Sequence, residues 1–154
     1  MTTQELQAVC RQVRRDIVEM PAAAASATNT TGDRSVSSAS ASTTAKITPA
    51  AASGHPGGSL SAVELTVGAF YHAMRVDPAN PHWEGRDRFV LSKGHVSPCY
   101  YGVLAEKGFF PREDLLTVSQ YGSKYIGHPN NKVNGIEMNS GSLGHGLSVA
   151  IGMA

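Results

Sequence analysis

The segment Arg88-Phe-Val-Leu-Ser-Lys-Gly-His-Val-Ser97 constrains this chain more than any other. Phe89, Val90 and Leu91 form a short apolar run of β-formers, which predicts a buried strand. Ser92-Lys93-Gly94-His95 interrupts the run with small, flexible residues. From Val96 the large positions Val96, Tyr100, Val103 and Leu104 recur at helical spacing. A strand that passes through a small-residue turn into a helix brings free backbone N–H groups and a positive dipole end to one place. Lys93 and His95 stand at that place, so the turn suits an anion, above all a phosphate. Taken by itself the segment is more simply an ordinary strand-to-helix connection with a helix-capping histidine, because four residues are not specific.

With 154 residues the chain is long enough for one domain with its own core. A formal net charge of +1 and 16% charged residues speak against a nucleic-acid or polyanion surface. Cys10 and Cys99 are too few and too far apart for a disulfide framework or a metal motif. No apolar run is long enough to span a bilayer, and the N-terminus lacks the layout of a secretory signal. Glu5, Asp16 and Glu19 argue against a transit peptide. The expectation is a cytoplasmic protein with no membrane partner.

Residues 1–20 read as an amphipathic helix, with Leu6, Val9, Val13, Ile17 and Met20 on one face from Thr3 onward. Residues 21–49 are almost wholly Ala, Ser and Thr and carry no periodicity. Such a segment buries too little apolar surface to offset its ordering entropy, which predicts a disordered insertion. Residues 50–154 hold everything else. In Ser53-Gly54-His55-Pro56-Gly57-Gly58-Ser59, Pro56 stiffens the backbone beside His55. Ser61 and Glu64 then have the spacing of a capping box, and Leu60 and Leu65 that of a hydrophobic staple. The helix that follows should bury Leu60, Val63, Val67, Phe70, Tyr71 and Met74 and end by Asp77-Pro78. His72 and His82 have no such setting and read as surface or packing residues.

Downstream, Gly108 suits a helix C-terminus and Pro111 opens a short helix over 112–118. Ile136 to Asn139 suits a second short strand. Ser140-Gly141-Ser142-Leu143-Gly144-His145-Gly146 is a glycine-rich turn opening a last helix from Leu147 to Ala154. That helix is apolar or small all round, which predicts burial against another element or subunit.

A repeated device emerges. Gly-His occurs at 54–55, 94–95, 127–128 and 144–145, each time in a predicted turn or loop. Any one of these histidines is ordinarily structural; four in similar settings predict a shared site. The intervals between them match no local zinc motif. Imidazoles around an anionic, hydroxyl-bearing ligand fit better than a metal cage.

Ser53-Gly-His-Pro-Gly-Gly58, Arg86-Asp-Arg-Phe-Val-Leu-Ser-Lys-Gly-His95, Gly127-His-Pro129 and Ser140-Gly-Ser-Leu-Gly-His-Gly-Leu147 come in the order and approximate spacing of transketolases. The chain resembles most the N-terminal subunit of the split bacterial type, weakly over Met1–Met20 and nearly continuously over Ala51–Ala154. The resemblance implies an α/β fold: part of a thiamine-diphosphate-binding domain with parallel strands flanked by helices, truncated after the second glycine-rich turn. It implies transfer of a two-carbon ketol unit from a ketose phosphate to an aldose phosphate, with thiamine diphosphate and Mg²⁺ as cofactors. Carried over by motif, His55 and His128 would be catalytic, acting on substrate hydroxyls. His95 would contact the diphosphate, and Gly141, Ser142, Leu143 and His145 would line the cofactor.

The departures carry expectations too. His145 stands where the family usually has glutamine, and Gly58 replaces a hydroxyl residue found in some relatives. The Gly-Asp-Gly…Asn segment that holds Mg²⁺ in the family would follow Ala154, so no metal ligand is expected within the chain. The glutamate that activates the cofactor would come from a partner domain. The resemblance therefore implies sugar phosphates and a complementary C-terminal transketolase subunit or domain as partners, in a homo- or hetero-oligomer, and a chain inactive by itself. Two other readings compete: a noncatalytic phosphate-binding or interaction module on the same fold, and a deoxyxylulose-phosphate synthase. Ser-Lys-Gly-His and Gly-His-Pro favour transketolase over the synthase.

Overall fold

The computed structural model describes residues 1–27 and 55–154. Helix α1 spans Thr3–Ala27, α2 Pro56–Ser61, α3 Val63–Gly68, α4 Ser97–Lys107 and α5 His145–Met153. One π-helical turn over Ala69–Ala73 extends α3, and 3-10 turns occupy Gly94–Val96 and Arg112–Thr117.

Helix α4 is the centre of the molecule. Every residue from Ser97 to Ala105 is buried, and Gly108 ends the helix in the left-handed region at φ +97°, donating its N–H to the Leu104 and Ala105 carbonyls. The predicted C-terminus at Gly108 is observed. Helix α1 lies against α4 and α3 through Val13, Ile17 and Met20, which are almost wholly shielded from solvent. Gly102 makes the close approach possible, since a Cβ there would sit 3.3 Å from the Val13 side chain. Phe70, Phe89, Tyr100 and Phe109 complete the core as tilted and edge-on rings with centroids 5.1–6.4 Å apart.

α1 is longer than its apolar stripe predicts. It continues through Pro21 to Ala27, into the Ala-rich run expected to be disordered. Alanine has the highest helix propensity, and extending a packed helix needs no new nucleus, so the run does not need an apolar face. The remainder of the expected insertion, 28–49, lies outside the described residues, as do Ser53 and Gly54.

The capping box does not form. α2 starts at Pro56, with proline in the first turn, and Ser61 Oγ donates instead to the Gly58 carbonyl at 2.8 Å. Glu64 is drawn to Arg14 of α1, whose guanidinium holds its carboxyl below the usual range. Leu65 is 81% exposed, so the staple is absent as well. The expected buried face is otherwise present, with Val63, Val67 and Phe70 buried and Leu60, Tyr71 and Met74 packed at its edge.

Neither expected strand is present among the described residues. Phe89–Leu91 and Ile136–Asn139 carry no ladder, because a strand requires a neighbour running alongside to exchange backbone bonds, and no described segment does so. Tyr100 Oη instead donates to the Gly135 carbonyl at 2.7 Å and lies 3.4 Å from that of Phe89. The last helix also departs from expectation. It is exposed: Leu147 and Ile151 are 68% and 70% accessible, and Gly146 alone is buried. Its apolar character finds no cover among the described residues.

Candidate functional site

His55 immediately precedes Pro56 at the start of α2, where its carbonyl accepts the first helical bond from Ser59 N at 2.9 Å. One turn along, Gly58 faces the 3-10 turn of Gly94–Val96. A Cβ on Gly58 would stand 3.2 Å from Val96 Cγ1 and 3.5 Å from His95 Nε2, so the absence of a side chain lets the two loops close up. The result is an edge-on pair of imidazoles, His55 and His95, with ring centroids 4.9 Å apart. His95 is half-buried and His55 exposed.

Gly94 makes the next link. A Cβ at this buried position would lie 2.8 Å from Ser140 Oγ and 3.1 Å from Gly141 N, so the glycine-rich turn is seated directly on the Ser-Lys-Gly-His turn. Two further contacts hold the same seat. Gly144 N donates to the Ser92 carbonyl at 3.0 Å, and a Cβ on Gly146 would fall 2.8 Å from Ser92 Cα. Gly144 has φ +84°, a conformation that favours glycine, and it brings the chain round into α5.

His128 closes the row. A Cβ on Gly141 would lie 3.6 Å from its ring, and the backbone around it is held from beneath by α4. Ser97 Oγ donates to the Gly127 carbonyl at 2.7 Å, and the Tyr101 hydroxyl reaches the carbonyls of Ile126 and His128 at 2.9 and 2.8 Å. Contacts therefore run from His55 to His95, through Gly94 to Ser140 and Gly141, and on to His128. His145 follows the same turn, but its side chain is exposed, as are Ser142 and Leu143.

This surface is rich in donors. Lys93 is exposed at its edge, and the Ser140 hydroxyl, against Gly94, is buried without a hydrogen-bonding partner. An orphaned buried hydroxyl is costly unless a ligand or water meets it. Glu137, the nearest acidic residue along the chain to the glycine-rich turn, is occupied by Arg86 in a two-pronged pair at 2.7 and 3.1 Å. That pair also ties the segment leading to Ser92 to the one leading to Ser140. Among the described residues no group of three or more His, Cys, Asp or Glu is placed to hold a metal ion. His72 and His82 are exposed. Ser97, Tyr101 and Ser140 are not legible as site residues in the sequence; only the helical i, i+4 spacing of Ser97 and Tyr101 hints that two hydroxyls share a face.

The comparisons with known proteins bear on the same part of the chain. Residues 33–154 match the family model described as the thiamine diphosphate binding domain of transketolase. An apulose-4-phosphate transketolase subunit of Phocaeicola vulgatus is 48% identical over 104 residues, which are 68% of this chain and 37% of that protein. "Transketolase" of Homo sapiens is 47% identical over 110 residues, 70% of this chain and 17% of that protein. The solved structure of transketolase from Leishmania mexicana superposes with a TM-score of 0.72 at 25% identity, over 99% of this chain and 19% of that one. The chain thus spans well under half the length of these relatives. The family match takes in each of the loops that meet at the histidine row, and by it the chain belongs to the transketolase family, within the thiamine diphosphate binding domain.

Proposed function

We propose that the histidine row and the glycine-rich turn form the diphosphate end of a thiamine diphosphate site, in an enzyme of transketolase type. That enzyme moves a two-carbon ketol unit from a ketose phosphate to an aldose phosphate. The observation that carries the reading is the seating of Ser140-Gly141 on Gly94 beside the His55–His95 pair. The residues suit the group chemically: the orphaned Ser140 hydroxyl, an exposed lysine and imidazole N–H groups are donors suited to a polyanion. When bound, thiamine diphosphate supplies a nucleophilic thiazolium carbon and an electron sink.

The remaining work falls to the chain's own side chains. His95 donates to a diphosphate oxygen, and Gly141, Ser142 and Leu143 admit the cofactor by close backbone approach. His55 and His128 hold substrate hydroxyls and move protons at them. His145 takes the place of the family's usual glutamine against the cofactor. Mg²⁺ would be held by sequence other than the described residues. A complementary transketolase subunit or domain completes the site and covers Leu143, Leu147 and Ile151, whose exposed side chains suit a protein interface. The Phocaeicola vulgatus relative, named as one subunit of a transketolase, supports this division of labour. In the completed domain, Phe89–Leu91 gains the neighbours that would make it a strand of a parallel sheet.

Titration of the assembled enzyme, with Mg²⁺, against thiamine diphosphate and thiamine tests the reading; tighter binding of the diphosphate is expected. His95→Ala should weaken diphosphate binding by about tenfold, the worth of one bond to a charged acceptor. Equal affinity for thiamine and its diphosphate, or an unaltered titration in the variant, would remove His95 from the site. In the assembled enzyme His55→Ala should lower turnover by about tenfold or more while leaving cofactor affinity near its original value. Unchanged turnover would show that His55 has no part in the chemistry.

A further inference from the structure

We propose that Tyr101 and Ser97 of α4 are positioning residues for His128, clamping the backbone of three consecutive residues so that the imidazole faces the glycine-rich turn. The proposal rests on the functional reading above only for what His128 does, not for how it is held.

The geometry is specific. Ile126, Gly127 and His128 each direct a carbonyl at a hydroxyl of one helix, at 2.9, 2.7 and 2.8 Å. Ser97 and Tyr101 are four residues apart, so they stand one above the other on the same face of α4. Tyr101 has a single hydroxyl hydrogen for two carbonyls, and it serves them as a shared donor. Burial raises its pKa, so the hydroxyl stays protonated and remains a donor at neutral pH. Tyr101 is wholly buried and Ser97 equally so, and neither reaches solvent. The loop is also tied to either side, by Tyr125 Oη to Asp114 at 2.6 Å and Asn130 Nδ2 to the Lys124 carbonyl at 2.9 Å, but among the described residues only Ser97 and Tyr101 bond the carbonyls of 126–128. Around His128 the backbone bond from Ser140 N to the Pro129 carbonyl is long, at 3.4 Å. The backbone that carries the exposed His128 ring beside Gly141 is therefore held from beneath by the clamp.

A buried Tyr125 provides the control. It packs edge-on against Tyr101 with centroids 5.7 Å apart, but its hydroxyl donates to Asp114. Tyr125→Phe deletes a neighbouring buried hydroxyl without touching the three carbonyls.

The test has two arms. In the chain itself, NMR reads the carbonyl-carbon shifts of Ile126 and His128 and the cross-relaxation between the His128 ring and the Gly141 Hα protons. Tyr101→Phe should move both carbonyl signals and reduce the cross-peak by about half or more; Tyr125→Phe should do neither. Ser97→Ala, which leaves the aromatic core intact, should give the same result at Gly127 if Tyr101→Phe folds poorly. Unmoved signals in both variants would overturn the proposal.

In the assembled enzyme, Tyr101→Phe should lower kcat/KM by about tenfold, the worth of one lost positioning bond. In a His128→Ala background the same substitution should cost less than about twofold, because a residue acting through His128 has nothing left to place. An equal loss in both backgrounds would mean a merely structural role and would overturn the proposal. Should thiamine diphosphate fail to bind at all, the functional reading falls while the NMR arm still decides the clamp.

Discussion

Gly135→Ala is expected to lower the unfolding free energy by about 3 kcal/mol. Two independent penalties add at this position. The backbone sits at φ +87°, where a Cβ meets the following carbonyl and costs about 1–2 kcal/mol. The new methyl would also lie 2.7 Å from Leu104 Cδ2 and 2.9 Å from Phe109 Cδ1, two buried side chains that would have to shift. Overpacking of that kind costs about 1–3 kcal/mol. The carbonyl of Gly135 accepts from Tyr100 Oη, so a shift to relieve the clash also strains that bond. Urea unfolding measures the sum as a lowered midpoint with an unchanged slope. Gly122→Ala separates the penalties, since Gly122 has φ +80° with nothing within 4 Å of its Cβ position. It should cost only the backbone share, about 1 kcal/mol. Equal losses at the two sites would refute the packing account.

Arg112→Ala is expected to cost about 1–2 kcal/mol: it strands the buried Asp16 carboxylate, but the guanidinium is itself nearly half exposed, so solvent screens part of the loss. Asp16 is nearly inaccessible in α1. One of its carboxylate oxygens takes Arg112 Nη2 at 2.5 Å, Arg112 Nε at 3.2 Å and Gln12 Nε2 at 3.1 Å, while the other has no partner. Arg112 also reaches Glu106 at 3.2 Å, whose own carboxyl is pushed up first by burial and then by Asp16. Deleting the guanidinium strands both acids. Asp16→Asn added to Arg112→Ala should recover about half of the loss, because an amide can be buried at lower cost than a carboxylate. The check is a double-mutant cycle by chemical denaturation. Strict additivity, with no recovery, would show that the loss comes from packing of the arginine stem instead.

Part of this molecule is legible in its sequence. The apolar stripe of α1, the buried face of α3 and the end of α4 at Gly108 all follow from local rules. Each depends on neighbours three or four residues apart or on the φ that one glycine permits. The anion-suited turns are legible for the same reason, since Ser-Lys-Gly-His and the 140–146 turn carry their small residues side by side. Ser61 shows where such reasoning stops. Its spacing to Glu64 satisfies a capping rule, but Pro56 starts the helix a turn earlier and Arg14 of another helix claims the glutamate. The Ala-rich residues after Met20 depart for a different reason: their low hydrophobicity argues for disorder, and their high helix propensity prevails.

What the sequence by itself determined, then, was which residues turn, which coil into helices and which loops carry imidazoles. Only the tertiary structure decided that His55 lies edge-on to His95, that Gly94 gives its place to Ser140, and that two hydroxyls of α4 hold the His128 loop. Those contacts join residues tens of positions apart, and their geometry is set by how α1, α3 and α4 pack, which no local pattern encodes. The same holds for what did not form: Phe89–Leu91 has the composition of a strand, but a ladder depends on a second segment lying beside it, and α5 has the composition of a buried helix but lacks a described surface to bury it.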